Sequence, residues 1–493
     1  MGFLSGLRAS RPRRRTGAAF PAADLSRLTS SWTTDPGAVN RWLRYELVRL
    51  RARSRQLARG DAYGAKFIRS CVDNIAGPRP FGLQSKATFQ NGALNVAANK
   101  KIEAAWAERC RPGACEVTGK LSQGALHRLL VRCLARDGEL LLRTIRGAGY
   151  GAAGKLQILD IDRLDEMKNE NLLNGGAIKL GVEIDPYSKP VAYHVLKQHP
   201  GEMGEWNRGY ERKHERIPAE QIRHLFIADW PEQVRGFPWM HAAMVRLWNL
   251  GGFEEAAVIN ARIGASKVAV LQQEEGDGTA TLATGKDSAG NFLTDIEPGS
   301  YWTTPPGTTL GSFDPAFPDA SVGPFIQACL RGASAAVGMA YHSFANDPGA
   351  VNYSTARVAL LDERDMWMAV QQWYIEHFCE IDAADWMRGA ILDGVLPQHY
   401  WNFRGDLHFQ PKTWKWIDPA KEVNAEIDAL DAHLTSRTRI AAQNGEDIED
   451  IFTEIAAEEA LANEKGIKLN PPKPAAAKPA AKPADEGANK DDE

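Results

Sequence analysis

The sequence predicts an α+β fold in which a hairpin-rich antiparallel β module lies among helices and two long helices carry a small β insertion. Three observations lead there. Between residues 139 and 227 apolar residues alternate or fall in short β-branched runs. Before 137 and after 322 they recur at helical spacing. The Gly-, Thr- and Pro-rich stretch 267–319 sits between helical stretches at 238–266 and 322–340.

The elements follow in chain order. Residues 1–35 mix Arg, Ser, Pro and Ala without apolar periodicity and predict a mobile basic arm. A helix is expected over 37–59, with Asp35 as cap, Pro36 in the first turn, and Trp42, Leu43, Leu47, Leu50 and Leu57 on one face. Its other face carries Arg41, Arg44, Arg49, Arg51, Arg53, Arg55 and Arg59, which fits a solvated face with snorkelling stems as well as one turned to phosphates or to another subunit. Helices are expected at 99–109 and 122–137, and strands at 140–145, 155–161, 178–184, 191–196 and 222–227. Asp185-Pro186-Tyr187-Ser188-Lys189-Pro190 supplies dense turn chemistry between two of them.

Pro238 opens the longest helical candidate, 238–266, roughly 43 Å at 1.5 Å per residue, which leaves a compact globule. Short apolar runs at 268–271 and 300–303 predict a β insertion, and helices resume at 322–340 and 353–389. Two long helices bracketing a β insertion make a protruding stalk with a tip. Helices at 421–433 and 447–464 follow, and the Ala-, Lys- and Pro-rich stretch 467–493 predicts a disordered tail.

The charge balance narrows the function. Lys and Arg number 59 against 62 Asp and Glu, so no global positive field holds a polyanion, and contact with nucleic acid would rely on local patches. Six cysteines in 493 residues are too few for a disulfide framework and fit a reducing compartment. The N-terminal arginines are not followed by the apolar core of a signal peptide. No apolar stretch approaches the roughly 18–20 residues of a membrane-spanning helix, so no membrane partner is expected.

Chemistry-bearing motifs fail one by one. Gly285-Lys286 is followed by Asp287 and Gly119-Lys120 by Leu121, so there is no glycine-rich phosphate cradle and no cofactor is expected. Pro218 stands where a zinc-protease motif beginning at His214-Glu215 needs its second histidine, and Cys110, Cys115 and His127 have the wrong spacing for zinc. Neither a catalytic nor a metal-ligating set is therefore assigned. Asp160, Asp162 and Asp165 keep a metal-dependent nuclease open as a rival, to be separated by divalent-metal titration with plasmid cleavage. Trp373, Trp386, Trp401, Trp414 and Trp416 are expected in core or subunit packing before base stacking.

The order of short motifs resembles the lambda-type phage portal proteins from about residue 41 to 466. The strings are Arg53-Ser54-Arg55-Gln56-Leu57-Ala58-Arg59-Gly60-Asp61, Glu116-Val117-Thr118-Gly119-Lys120-Leu121-Ser122, Asp137-Gly138-Glu139, Gln157-Ile158-Leu159-Asp160-Ile161-Asp162-Arg163-Leu164 and Gln233-Val234-Arg235-Gly236. The most specific is Val351-Asn352-Tyr353-Ser354-Thr355-Ala356-Arg357, with Thr355 in place of a serine, followed by Leu361-Asp362-Glu363-Arg364.

The resemblance implies a portal-protein fold: a β-rich wing, a long α-helical stem, a small β clip and a helical C-terminal crown. The wing would be 36–237 and 353–419, the stem helices 238–266 and 321–340, the clip 267–320, the tunnel loop 341–352 and the crown 420–466. It implies a homo-oligomeric ring, usually of twelve subunits, at the unique vertex of the capsid, assembled in the host cytoplasm. Double-stranded DNA would pass through it on packaging and ejection. The implied partners are the terminase large subunit, then a head-completion or adaptor protein, and the major capsid and scaffold proteins. Ser343, Asn346, Asp347, Asn352, Ser354 and Arg331 become candidates for the DNA channel and tunnel loop. Asn352 before Ser354-Thr355 is equally an ordinary helix cap. A non-portal scaffold or adaptor is the remaining rival, to be decided by ring symmetry.

Overall fold

The computed structural model describes residues 35–79, 81–147, 149–173, 175–202, 213–265, 269–273, 285–286, 292–293, 308–312, 320–350, 352–405, 407–414, 419–443 and 447–467. Most of the segments expected as arm, clip and tail, together with Trp416 and the 300–303 run, lie outside them.

Helix α1 (Val39–Gly60) turns the 37–59 periodicity into a buried face of Val39, Leu43, Leu47 and Leu57. It passes at Asp61, whose carboxylate accepts the Gly64 N–H at 2.6 Å, into α2 (Ala62–Ile75). A short strand β1 (Gly82–Ser85) precedes α3 (Val96–Arg109) and α4 (Gln123–Asp137), each capped by its preceding side chain, Asn95 and Ser122. Gly138 ends α4 at φ 85° and throws the chain directly into β2 (Glu139–Ile145). A Cβ there would meet the Phe237 carbonyl carbon at 1.9 Å, so only glycine fits.

The β module is antiparallel throughout. One sheet has the order β3-β2-β9, joining β2 to β3 (Lys155–Leu159) and β9 (Ile222–Phe226). The other runs β4 (Glu170–Asn171), β5 (Ala177–Lys179), β6 (Val182–Ile184), β7 (Pro190–Leu196) and β8 (His214–Pro218) in sequence order. The single strand expected over 178–184 is a hairpin instead, because Leu180 and Gly181 take φ of 53° and 85° and fold β5 back on β6. The turn chemistry between β6 and β7 is as expected, with Asp185 Oδ1 accepting the N–H groups of Tyr187 at 2.8 Å and Lys189 at 2.9 Å.

Helix α5 spans Met244–Ala265, 22 residues and so about 33 Å, shorter than the 238–266 expectation. Residues 239–243 form turns in which the Trp239 N–H donates to Ala135 O at 3.3 Å and the His241 N–H to Pro238 O at 3.0 Å. Beyond it β10 (Ala269–Gln273) pairs with β13 (Thr308–Ser312), and β11 (Gly285–Lys286) with β12 (Phe292–Leu293). Helix α6 (Val322–Val337) returns against α5, Phe325 meeting Phe253 at 4.9 Å, and ends at Gly338 in the left-handed region, before the expected limit of 340. After α7 (Tyr341–Ala345) comes the stretch expected as one helix over 353–389. It is α8 (Tyr353–Tyr374), a wider π turn (Ile375–Cys379) and α9 (Glu380–Leu392). The π turn keeps Ile375, Phe378 and Cys379 all buried. Strand β14 (Leu407–Gln410) then pairs with β1 across the chain, and α10 (Pro419–Asp431), α11 (Arg437–Gln443) and α12 (Ile448–Glu464) complete the described helices.

Two apolar cores result among the described residues. The larger joins α2, α3 and α4 to the α8–α9 region, with Trp106 edge-on to Trp386 at 5.0 Å. The smaller seats α1 on the β module through Leu43, Leu47, Leu141, Val182 and Val195. Of the five tryptophans expected in packing, Trp386 is buried, Trp373 and Trp414 are half-buried and Trp401 is exposed. Among the described residues no helix is long and apolar enough to cross a membrane.

Candidate tunnel-loop site and the ion network behind it

The segment after α6 is built by local chemistry. Asn346 closes α7 in the left-handed region at φ 55°, which asparagine tolerates, and a short 3-10 turn (Pro348–Ala350) follows. The Asn352 side chain then accepts the Thr355 N–H at 2.9 Å and starts α8, so this residue is an N-cap. The Tyr341 hydroxyl donates to Asp347 Oδ2 at 2.9 Å, and burial together with that carboxylate pushes its pKa up. The Arg331 guanidinium lies over the Tyr341 ring at 5.3 Å.

Contacts thus join Arg331, Tyr341 and Asp347 at one end of the loop and Asn352 with Thr355 at the other. Neither group includes Ser343, half-buried on α7, or Ser354, exposed on the first turn of α8. Arg357 reaches Glu422 on α10 at 3.5 Å, and Ala356 is half-buried. Val351 lies outside the described residues, and Tyr353 is the first residue of α8.

The anchor of this segment is a residue to which sequence reasoning assigned no role. Glu363 is buried on α8; its Oε2 accepts the Ala340 N–H at 3.1 Å while its Oε1 accepts Trp367 Nε1 at 3.1 Å. It fixes the α6–α7 corner to α8. Its only sequence signal was its place in Leu361-Asp362-Glu363-Arg364.

Elsewhere, residues of the other motif strings meet in buried ion pairs and hydrogen bonds. Glu139, fully buried, accepts Arg235 Nη2 at 2.8 Å, Arg51 Nη1 at 3.1 Å, His224 Nε2 at 2.9 Å and the Gly236 N–H at 2.9 Å. Burial alone would raise its pKa, yet Arg235 and His224 hold it well below the usual carboxylate range. Arg235 also donates to Leu180 O at 2.7 Å, clamping the β5–β6 turn. Arg55 pairs with Asp137 at 2.7 Å, with Asp160 at 3.3 Å and with Asp162. The arginines of α1 thus do not all form a solvated or phosphate-facing face: Arg51 is 2% exposed and, like Arg55, is spent on carboxylates. Glu116 accepts the N–H groups of Thr118, Lys120 and Leu121 at 2.6, 2.6 and 3.0 Å, and these hold its carboxyl at about 2 against the opposing effect of burial. Asp382 sits between Arg109 at 2.7 Å and Arg223 at 2.5 Å, which likewise hold it at about 2 although burial opposes them.

The nuclease reading fails on this geometry. Asp165 is buried and bonded to His214 Nε2 at 2.5 Å, apart from the other two. Asp160 and Asp162 do lie with His199 in a group whose ligand atoms are within 4.8 Å of one another. Arg55 and Arg51 already supply the positive charge there, so a metal ion would have to displace guanidinium groups. Cys110, Cys115 and His127 do not form a metal set among the described residues. Burial raises both thiols to about 11 and lowers His127 to about 4, and His127 instead bonds Gln123 at 3.1 Å and Tyr374 at 3.0 Å.

Buried carboxylates paired with arginines thus tie the β module to α1, α3 and α9. Residues 25–371 match the family described as phage portal protein, lambda family. The chain is 31% identical over 443 residues to the probable portal protein of Halomonas phage phiHAP-1, covering 89% of this chain and 85% of that protein. It is 22% identical to portal protein B of Escherichia phage lambda, over 91% of this chain and 90% of that one. The neck of a native GTA particle, solved with C12 symmetry, has 14% identity and a TM-score of 0.45, covering 81% of this chain and 93% of that one. The chain belongs to the lambda family of phage portal proteins, which are structural and not enzymatic.

Proposed function

We propose that copies of this chain close into a ring, of twelve subunits as the family resemblance implies, at the unique capsid vertex, and that double-stranded DNA passes through its bore on packaging and ejection. The observation that carries this is the family match, which runs from residue 25 through α5, α6 and most of α8. The terminase large subunit would dock first and a head-completion or adaptor protein later, with the clip at 267–320 meeting them and the crown at 420–466 facing the head interior. Major capsid and scaffold proteins would surround the wing, and assembly would take place in the host cytoplasm.

Charge supports passage without capture. B-DNA carries one charge per roughly 1.7 Å of axis, so a strongly cationic wall would hold it. A chain of net charge −3 leaves the duplex free to slide. With no phosphate cradle in the sequence, energy for movement comes from another machine.

The test is mass and packaging together. The purified chain should form closed rings of several hundred kilodaltons. Deleting residues 347–351 should leave the rings intact and impair DNA retention or translocation. Only monomers or dimers under capsid-assembly conditions would remove the ring, and unchanged packaging after the deletion would remove the loop's role.

A further inference from the structure

A head-to-tail contact repeated by rotation joins one surface to a different one, so a subunit that closes a ring needs two unlike, complementary faces. The described residues hold one groove and one ridge that meet this need. The groove, about 390 Å³, runs between α1 and α5 and is lined by Leu50, Leu57, Met244, Val245 and Trp248 with Arg53. Val245 is 64% and Trp248 62% exposed, a large apolar opening for a lone subunit. Arg53 is exposed and makes no ion pair among the described residues.

The ridge is on α8. Val358, Leu361, Asp365 and Met368 follow the i, i+3, i+7, i+10 pattern of one helix face, and Val358 is 69%, Leu361 45% and Met368 47% exposed. Asp362 and Asp365 are exposed on this face and make no ion pair among the described residues. From Val358 to Met368 the ridge is about 15 Å long, against about 10 Å for the α1 side of the groove. Helix α2 packs on both α1, which lines the groove, and α8, which carries the ridge. One surface is apolar with an unpaired cation, the other apolar with unpaired anions.

We infer that the α8 ridge of one subunit seats in the α1–α5 groove of the next, with Asp362 and Asp365 meeting Arg53. The occupant of the groove is a second copy of this chain. This rests on the ring reading and names the faces that make it.

The test uses the full chain at fixed subunit concentration, with assembly read by light scattering and electron microscopy. Arg53→Glu should raise the concentration needed for rings by about tenfold or more, as should Asp362→Lys combined with Asp365→Lys, because like charges then meet. Combining all three substitutions should restore assembly. Val245→Cys with Leu361→Cys should give ladders of disulfide-linked oligomers on oxidation that neither single variant gives. If the unsubstituted chain forms rings while Arg53→Glu assembles normally and the cysteine pair gives no ladder, these faces belong to some other partner and the pairing is wrong. If the unsubstituted chain forms no rings, the ring reading falls first and this pairing with it.

Discussion

Replacing Glu139 by Gln is the sharpest test of how α1 and the β module are held together. The carboxylate is fully buried and is approached by Arg235, Arg51, His224 and the Gly236 N–H at 2.8–3.1 Å. An amide of the same shape leaves the buried Arg235 guanidinium without its counter-charge, while Arg51 keeps Asp162 and Glu166. Removing one partner of a buried pair costs about 3–5 kcal/mol, so a loss of about 4 kcal/mol is expected. Glu108→Gln is the control, since Glu108 meets Arg111 at 2.9 Å with side chains 63% and 70% exposed, and such a pair is worth less than about 1 kcal/mol. Urea unfolding of both variants at equal subunit concentration, followed by near-ultraviolet circular dichroism, separates the two. A midpoint shift for Glu139→Gln no greater than for Glu108→Gln would refute the argument that this network binds α1, β2 and the β5–β6 turn into one body.

Four further outcomes are expected. Burial holds His127 neutral down to about 4, so between its unfolded value near 6.5 and that point only the unfolded chain takes up the proton; stability then falls by about 3 kcal/mol as pH drops through the window, and His127→Gln should flatten that slope in unfolding measured at pH 7 and pH 4.5. Asp382, held at about 2, contributes stability that is present above about pH 4 and lost as pH falls toward 2, a loss that Asp382→Asn should abolish. Gly138→Ala must place a Cβ 1.9 Å from the Phe237 carbonyl carbon at φ 85°, and a loss of about 3 kcal/mol or more should appear as a lowered thermal midpoint. Asn352→Ala should loosen the first turn of α8 by about 1 kcal/mol while Asn352→Ser changes it little, read by hydrogen exchange at Thr355 and Ala356.

What the sequence made legible was local. The alternation behind β2, β3, β7 and β9 and the heptad-like face of α1 are properties of short windows, and the elements appear within a few residues of their expected limits. The β5–β6 hairpin was hidden because its turn uses a leucine at φ 53°, which carries no turn signal, beside Gly181. The pairing of β1 with β14 joins residues 82–85 to 407–410, and no local pattern announces a partner so distant. The same holds for the charges: Arg51 and Arg55 resembled other surface arginines until Glu139 and Asp137 were brought to them from across the chain. The tunnel-loop candidates were visible as a motif, but Asn352 carries a cap and Asp347 a tyrosine bond, and the anchoring Glu363 was not singled out.

The central claim is a closed collar around an open bore. Electron microscopy of the purified full chain, viewed down the symmetry axis, tests it most directly. A single rotationally symmetric ring with an axial hole wide enough for a B-form duplex is expected; a filled centre, an open filament or a field of unassembled subunits would overturn the ring.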